Sequence, residues 1–306
     1  MPEHFADRIA AAVRRAQSRV CVGLDPAAEG VARALGVRLD PKDPAAAAAA
    51  IWEFNQRILE AVQPYCGVVK PQSAFYEVWG PAGIETLRRT IERARELGLI
   101  CILDAKRNDI ASTAAAYADA YLGDGPLATD ALTVNPYLGA DGIVPFLEVG
   151  RPRGRGIFVL VKTSNPSSVD VQDARLFTSL LVLGGKVVYE RVAELVAEWG
   201  AESLGACGYS DVGAVVGATF PGELAALRER LPKTWFLVPG YGRQGGSATG
   251  VALAFDREGL GAVVNSSSAI IFAGKQYPDV HYAVAAGEAA CEMRDDLEAA
   301  LEARHA

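Results

Sequence analysis

The segment Leu103-Asp104-Ala105-Lys106-Arg107-Asn108-Asp109 sets two carboxylates and a lysine at the end of an apolar run. Side chains on a strand alternate faces. Ile102, Asp104 and Lys106 therefore share one face, and Leu103, Ala105 and Arg107 share the other. If Ile102 points into a core, Asp104 and Lys106 point the same way, and Asp109 lies beyond the strand in a loop. A second lysine, Lys70, ends an earlier apolar run after Val68-Val69. Neighbouring strands lie about 4.8 Å apart, so Lys70 can approach Asp104 and Lys106 and complete an alternating Lys–Asp–Lys–Asp array. A unit-charge pair about 4 Å apart gains about 4 kcal/mol at an effective dielectric of about 20. Lysines flanked by carboxylates stay protonated at neutral pH. They suit proton donation and stabilisation of negative charge, and are poor Schiff-base nucleophiles. The chemistry this allows is stabilisation of a carbanion followed by its protonation. The plain alternative is a solvated ion-pair network, but charge at the end of a buried strand argues for a site.

Two later segments suit an anion. Pro239-Gly240-Tyr241-Gly242-Arg243-Gln244-Gly245-Gly246 is rich in glycines, which let backbone N–H groups approach a ligand closely. Asn265-Ser266-Ser267-Ser268 offers hydroxyls ahead of Ala269-Ile270-Ile271, a candidate short helix. Histidine is scarce (His4, His281 and His305), which disfavours a His-centred triad or a His-rich metal site. Acid–base chemistry is left to Lys, Asp and Glu.

These residues sit at the ends of short apolar runs. Strand candidates cover residues 19–24, 67–70, 99–106, 131–135, 156–163, 212–217, 235–238 and 262–265. Helical patterns fall between them at 45–62, 83–97, 186–199 and 222–231. Strands alternating with helices imply a parallel sheet. Eight such units in 306 residues imply a (β/α)8 TIM barrel of eight parallel strands. The alternative is an open doubly wound sheet, weakened by the lack of GxGxxG after the first strand. No linker or composition break is visible, so residues 1–306 read as one domain. Active sites of this barrel lie at the C-terminal ends of the strands. Those ends carry Asp25, Lys70, Asp104 with Lys106 and Asp109, Asn135, Thr163-Ser164-Asn165, the glycine-rich turn and the serine cluster. The sixth, Gly217-Ala218-Thr219, is the least informative.

Half the residues are hydrophobic and 22% are charged, which excludes a disordered chain. The net charge of −7 and the absence of a long basic run disfavour nucleic-acid binding. No apolar run reaches the ~20 residues of a membrane span, and the first residues lack a secretory core. The alanine run 45–50 follows Asp43-Pro44, a helix start. A soluble, cytoplasmic protein without a membrane partner is expected. The five cysteines, an odd number with no CxxC pair, read as buried reduced thiols.

The stretch Asp104-Ala105-Lys106-Arg107-Asn108-Asp109-Ile110-Ala111-Ser112-Thr113 resembles the signature of orotidine 5′-phosphate decarboxylases. Gly23-Leu24-Asp25-Pro26, Val69-Lys70-Pro71-Gln72-Ser73-Ala74-Phe75-Tyr76-Glu77, Thr133-Val134-Asn135-Pro136-Tyr137-Leu138-Gly139 and Lys162-Thr163-Ser164-Asn165-Pro166 resemble their longer bacterial branch, type 2. Residues 239–246 and 264–271 complete a resemblance running from about residue 5 to 290. It implies decarboxylation of orotidine 5′-monophosphate to uridine 5′-monophosphate in pyrimidine biosynthesis, without metal or cofactor. Lys106 would protonate C6 of the pyrimidine, with Asp104 beside the substrate carboxylate. Lys70 would hold Asp104 and contact the ribose, and Asp25 would bind the ribose 3′-hydroxyl. Ser164 would bind the ring, and Gln244 would bridge base and phosphate. Asn135 joins the expected substrate-binding set. The resemblance also implies a homodimer in which Asp109 and Thr113 act in the partner's site. The family usually has a phosphate-gripping arginine where this chain has Ser268. Arg243 stands at a position more often small and is expected to take over the phosphate charge, with Lys275 a lesser candidate. Otherwise, backbone and serine donors suffice and binding is weaker. Two other readings remain: a related barrel enzyme acting on a sugar phosphate with Mg²⁺, and a catalytically silent nucleotide-binding protein.

Overall fold

The computed structural model describes residues 2–176, 185–242, 245–277 and 279–305. Eight parallel strands close into a barrel in chain order: β1 (Val20–Leu24), β2 (Val68–Pro71), β3 (Ile100–Arg107), β4 (Ala131–Val134), β5 (Gly156–Lys162), β6 (Val212–Val216), β7 (Phe236–Pro239) and β8 (Ala262–Ser266). β8 pairs back with β1 through Cys21↔Asn265. All eight expected strands form, displaced by at most one residue at either end. The helix expected at 83–97 begins earlier, at Gly80–Glu96. Pro81 lies in its first turn, where a missing N–H costs nothing. Helix Pro44–Val62 has the same device, with Asp43 Oδ1 accepting from Ala46 N at 3.0 Å.

The strands sort residues by parity. Val20, Val22 and Leu24 of β1, with Leu103, Leu132 and Val134, face outward into the layer beneath the helices. Cys21, Val68, Ile100, Ile102, Ala131 and Phe158 face the barrel interior. Helix Phe5–Ala16 closes the bottom by burying Phe5, Ile9 and Val13 against those interior residues. Helix Tyr282–His305 packs on the outer layer, with Tyr282 stacked 5.3 Å from Phe54. Moving up the interior columns of β2, β3 and β4, apolar gives way to polar: Val68 to Lys70, Ile102 to Asp104, Ala131 to Thr133. The charges at the mouth rest on an apolar floor.

Among the described residues no helix is long and apolar enough to cross a membrane. All five cysteines are free. Cys21, Cys66 and Cys101 are buried as expected, and burial pushes the Cys66 and Cys101 thiols up to about 12. Cys207, in the turn before β6, and Cys291, on helix Tyr282–His305, are only half-buried, against the expectation of five buried thiols.

Candidate active site

Asp104 is the centre of the mouth. Its Oδ2 accepts from Lys70 Nζ at 2.9 Å and from Gln72 Nε2 at 3.0 Å. Its Oδ1 accepts from Lys106 Nζ at 2.6 Å and from Thr133 Oγ1 at 2.9 Å. Four strand-end donors thus saturate one carboxylate. Burial alone would raise the Asp104 carboxyl, but the charges and hydrogen bonds of Lys70 and Lys106 outweigh it and hold it well below the usual range. Burial alone would strip the proton from Lys70, yet Asp104 and Asp25 hold its ammonium above the ordinary lysine value. Asp25 Oδ1 stands 4.0 Å from Lys70 Nζ and accepts no hydrogen bond from the described residues. Burial pushes the Asp25 carboxyl up, against the pull of Lys70. The two lysines differ in access: the Lys70 side chain is 5% exposed, that of Lys106 46%.

The expected Lys–Asp–Lys–Asp array needs a correction. The order within this chain is Asp25, Lys70, Asp104, Lys106. Asp109 makes no ion pair among the described residues; its Oδ1 accepts from the Ile110 N–H at 2.8 Å as the chain turns into helix Ala111–Leu122. Thr113 is exposed in the first turn of that helix. Asn135 also points elsewhere, its Oδ1 accepting from Tyr137 N at 3.0 Å. These three lie outside the cavity wall. Asp25, Lys70, Asp104, Lys106, Ser164 and Ser268 all line one cavity of about 660 Å³. Arg243 and Gln244 lie outside the described residues. A volume of this order suits a small-molecule ligand.

The opposite wall is made largely of loops, above Leu160, Val215 and Leu237 of the strands. Gln172 clamps the turn after β5: its Oε1 accepts from Thr163 N at 2.9 Å and its Nε2 donates to Thr163 Oγ1 at 2.7 Å. The next residue, Asp173, pairs with Lys162, a fully buried ammonium lying 4.7 Å from the Phe220 ring centroid. The sixth strand end has a supporting role the sequence did not suggest. A Cβ on Gly217 would come within 2.9 Å of the Ser164 backbone, so only glycine lets β6 press against that turn. After β7, Gly240 and Gly242 adopt φ of 97° and 73°, a region that favours glycine. Asn265, Ser266 and Ser267 complete the rim from β8.

Gln72, Thr133 and Gln172 also line the cavity, and Lys162 supports its wall from behind through Asp173. Gln72 carried a signal, because it follows Lys70 by two and so shares its face. Gln172 carried none, since its partner lies nine residues back across an irregular loop.

A closed parallel barrel with a charged array at the C-terminal ends of β1 to β3, facing a glycine- and serine-rich loop wall, defines a (β/α)8-barrel enzyme. The model of the orotidine 5′-phosphate decarboxylase / HUMPS family matches residues 18–277, and the chain belongs to that family. An orotidine 5′-phosphate decarboxylase of Rhodopirellula baltica is 49% identical, over 93% of this chain and 92% of its own length. That of Deinococcus radiodurans is 42% identical, over 98% and 99%. The structure of Leishmania donovani OMP decarboxylase is 32% identical, with a TM-score of 0.73 and coverage of 98% and 99%.

Proposed function

We propose that this chain decarboxylates orotidine 5′-monophosphate to uridine 5′-monophosphate. The observation that carries the reading is one carboxylate, Asp104, held between two ammonium groups inside the cavity. The substrate carboxylate lies beside Asp104. The bond from ring carbon C6 to that carboxylate breaks, CO2 leaves, and the electron pair stays on C6. The Lys106 ammonium stabilises that charge and then gives its proton to C6, leaving a neutral amine that water recharges. Lys70 fixes Asp104 and contacts the ribose, Asp25 takes the ribose 3′-hydroxyl, and Ser164 and Gln244 recognise the base. No step requires a metal or cofactor.

Arg243, four residues beyond β7 in the sequence, supplies the phosphate charge that Ser268 lacks. Lys275 stands farther out, on a neighbouring cavity that shares Ser268 and Ala269 with the main one.

The protein works as a homodimer in which Asp109 and Thr113 complete the partner's site. Two features support this. Both residues lie outside their own cavity, and Ile110, just before helix Ala111–Leu122, and Tyr137 and Leu138, in the short helical segment after β4, expose apolar surface, Tyr137 at 82%. Residues 1–306 act as one domain, since β1 to β8 close one barrel and the terminal helices pack on it, and the enzyme works in the cytoplasm.

The test is loss of orotidine 5′-monophosphate absorbance by the purified protein with EDTA present, beside Lys106→Ala. Turnover that survives EDTA and vanishes in the variant is expected. No turnover of orotidine 5′-monophosphate, with EDTA-sensitive activity on a sugar phosphate, would favour the other class of barrel enzyme. Mixing Lys106→Ala with Asp109→Ala subunits should restore part of the activity through one intact heterodimer site. No recovery despite subunit exchange would sink the shared-site arrangement.

A further inference from the structure

β3 and β4 run in register through Ile102↔Ala131 and Leu103↔Leu132, then meet again at Arg107↔Val134. Three residues of β3 (Asp104, Ala105 and Lys106) therefore face a single residue of β4, Thr133. The surplus residues bulge, and Lys106 adopts φ 47°, in the left-handed region that costs a side-chain-bearing residue energy. A bulge also takes N–H groups out of the ladder. Here both go to one atom: Thr133 Oγ1 accepts from Ala105 N at 3.1 Å and from Lys106 N at 2.9 Å. Its own hydrogen goes to Asp104 Oδ1 at 2.9 Å. One hydrogen and two lone pairs are all a hydroxyl has, so this oxygen is saturated. Thr133 is 1% exposed, and water cannot easily take its place.

We infer that Thr133 is a positioning residue for the reaction, its hydroxyl holding the β3 bulge that turns the Lys106 ammonium back onto Asp104. In a regular strand Asp104 and Lys106 would project side by side along one face, with their charged ends apart. The bulge bends the backbone so that their ends meet at 2.6 Å. Thr133 ties together the carboxylate, the lysine backbone and the turn between them. The inference rests on Lys106 as proton donor.

The test compares Thr133→Val, nearly isosteric and without the hydroxyl, with Thr133→Ser, which keeps it, beside Lys106→Ala. The readouts are kcat for orotidine 5′-monophosphate and Kd for uridine 5′-monophosphate. Misplacing a reacting group by about 1 Å costs on the order of 100-fold in rate, and that loss in kcat is expected for Thr133→Val. Product affinity should stay within about threefold and Thr133→Ser should recover most of the rate, a split that general loss of structure would not give. If Thr133→Val does not fold, Thr133→Cys, whose thiol is a weak donor and acceptor, makes the same distinction through a kcat loss of at least about tenfold. Unchanged kcat in the hydroxyl-free variants, with Lys106→Ala inactive, overturns the role of Thr133 and leaves Lys106 as donor. Full turnover by Lys106→Ala overturns both, beginning with the donor.

Discussion

The two walls of the cavity are built on different principles. On the β2–β4 side, Lys70, Asp104 and Thr133 are buried residues near strand ends, and each carboxylate oxygen of Asp104 has two partners. On the β5–β8 side, Thr163, Ser164, Tyr241 and Ser267 sit in turns, held by a side-chain amide, by glycines and by close packing. Strand register fixes the first wall, and loop contacts fix the second. Changes in the first should damage rate and folding, and changes in the second should damage affinity.

The largest effect that sharpens this contrast is expected from Lys70→Ala. It leaves two carboxylates near each other with one counter-charge removed, and breaking a buried pair this way costs about 3–5 kcal/mol. A lower thermal midpoint together with loss of turnover is expected; a fully stable variant would break the picture of a rigid charged wall. Next comes Arg243→Ala. Removing a charge-assisted phosphate contact costs about 1.5–3 kcal/mol, so affinity for uridine 5′-monophosphate should fall on the order of 10- to 100-fold while affinity for uridine barely moves. Unchanged nucleotide affinity would remove Arg243 from the phosphate site.

A smaller effect is expected from Gln172→Ala, which leaves the Thr163 N–H and hydroxyl without their partner. Loss of about 1–2 kcal/mol of base recognition would raise KM about tenfold with kcat little changed. A fall in kcat alone would place this turn with the other wall. The smallest concerns pH. The Asp104 carboxyl lies below its unfolded value, so its stabilisation is present above about pH 4 and is lost as pH falls through the folded value. Lys70 lies above its unfolded value, so its contribution is present below about pH 10 and is lost as pH rises through the folded value. Across neutral pH neither titrates, and stability should be flat on their account. Melting below pH 4 should show a shallower acid slope in Asp104→Asn than in the native chain. Equal slopes would mean that Asp104 is not held by its lysines.

The barrel and the charged wall were legible because both depend on parity. Once Ile102 faces inward, Asp104 must as well, and Lys70 follows Val68 in the same way. The (β/α)8 order followed from apolar runs that alternate with helical patterns. The β3 bulge was not legible: nothing in Asp-Ala-Lys says that three residues will oppose one. Nor was the turn of Asp109 towards the Ile110 N–H, which parity cannot reach because the strand has ended. The supporting contacts of the loop wall, Gln172 on Thr163 and Gly217 under Ser164, join residues far apart along irregular chain. Periodicity has no purchase on such pairs.

The unequal access of the two lysines bears on how the catalyst resets. In the proposed reaction each cycle discharges Lys106 once, and the amine must be recharged before the next substrate arrives. Half-open to solvent, Lys106 meets bulk water directly when the cavity is empty. Lys70, sealed beneath it between two carboxylates, has no such route and keeps its proton from one cycle to the next. The site thus separates a consumable proton from a permanent charge, and the first can be renewed without disturbing the second.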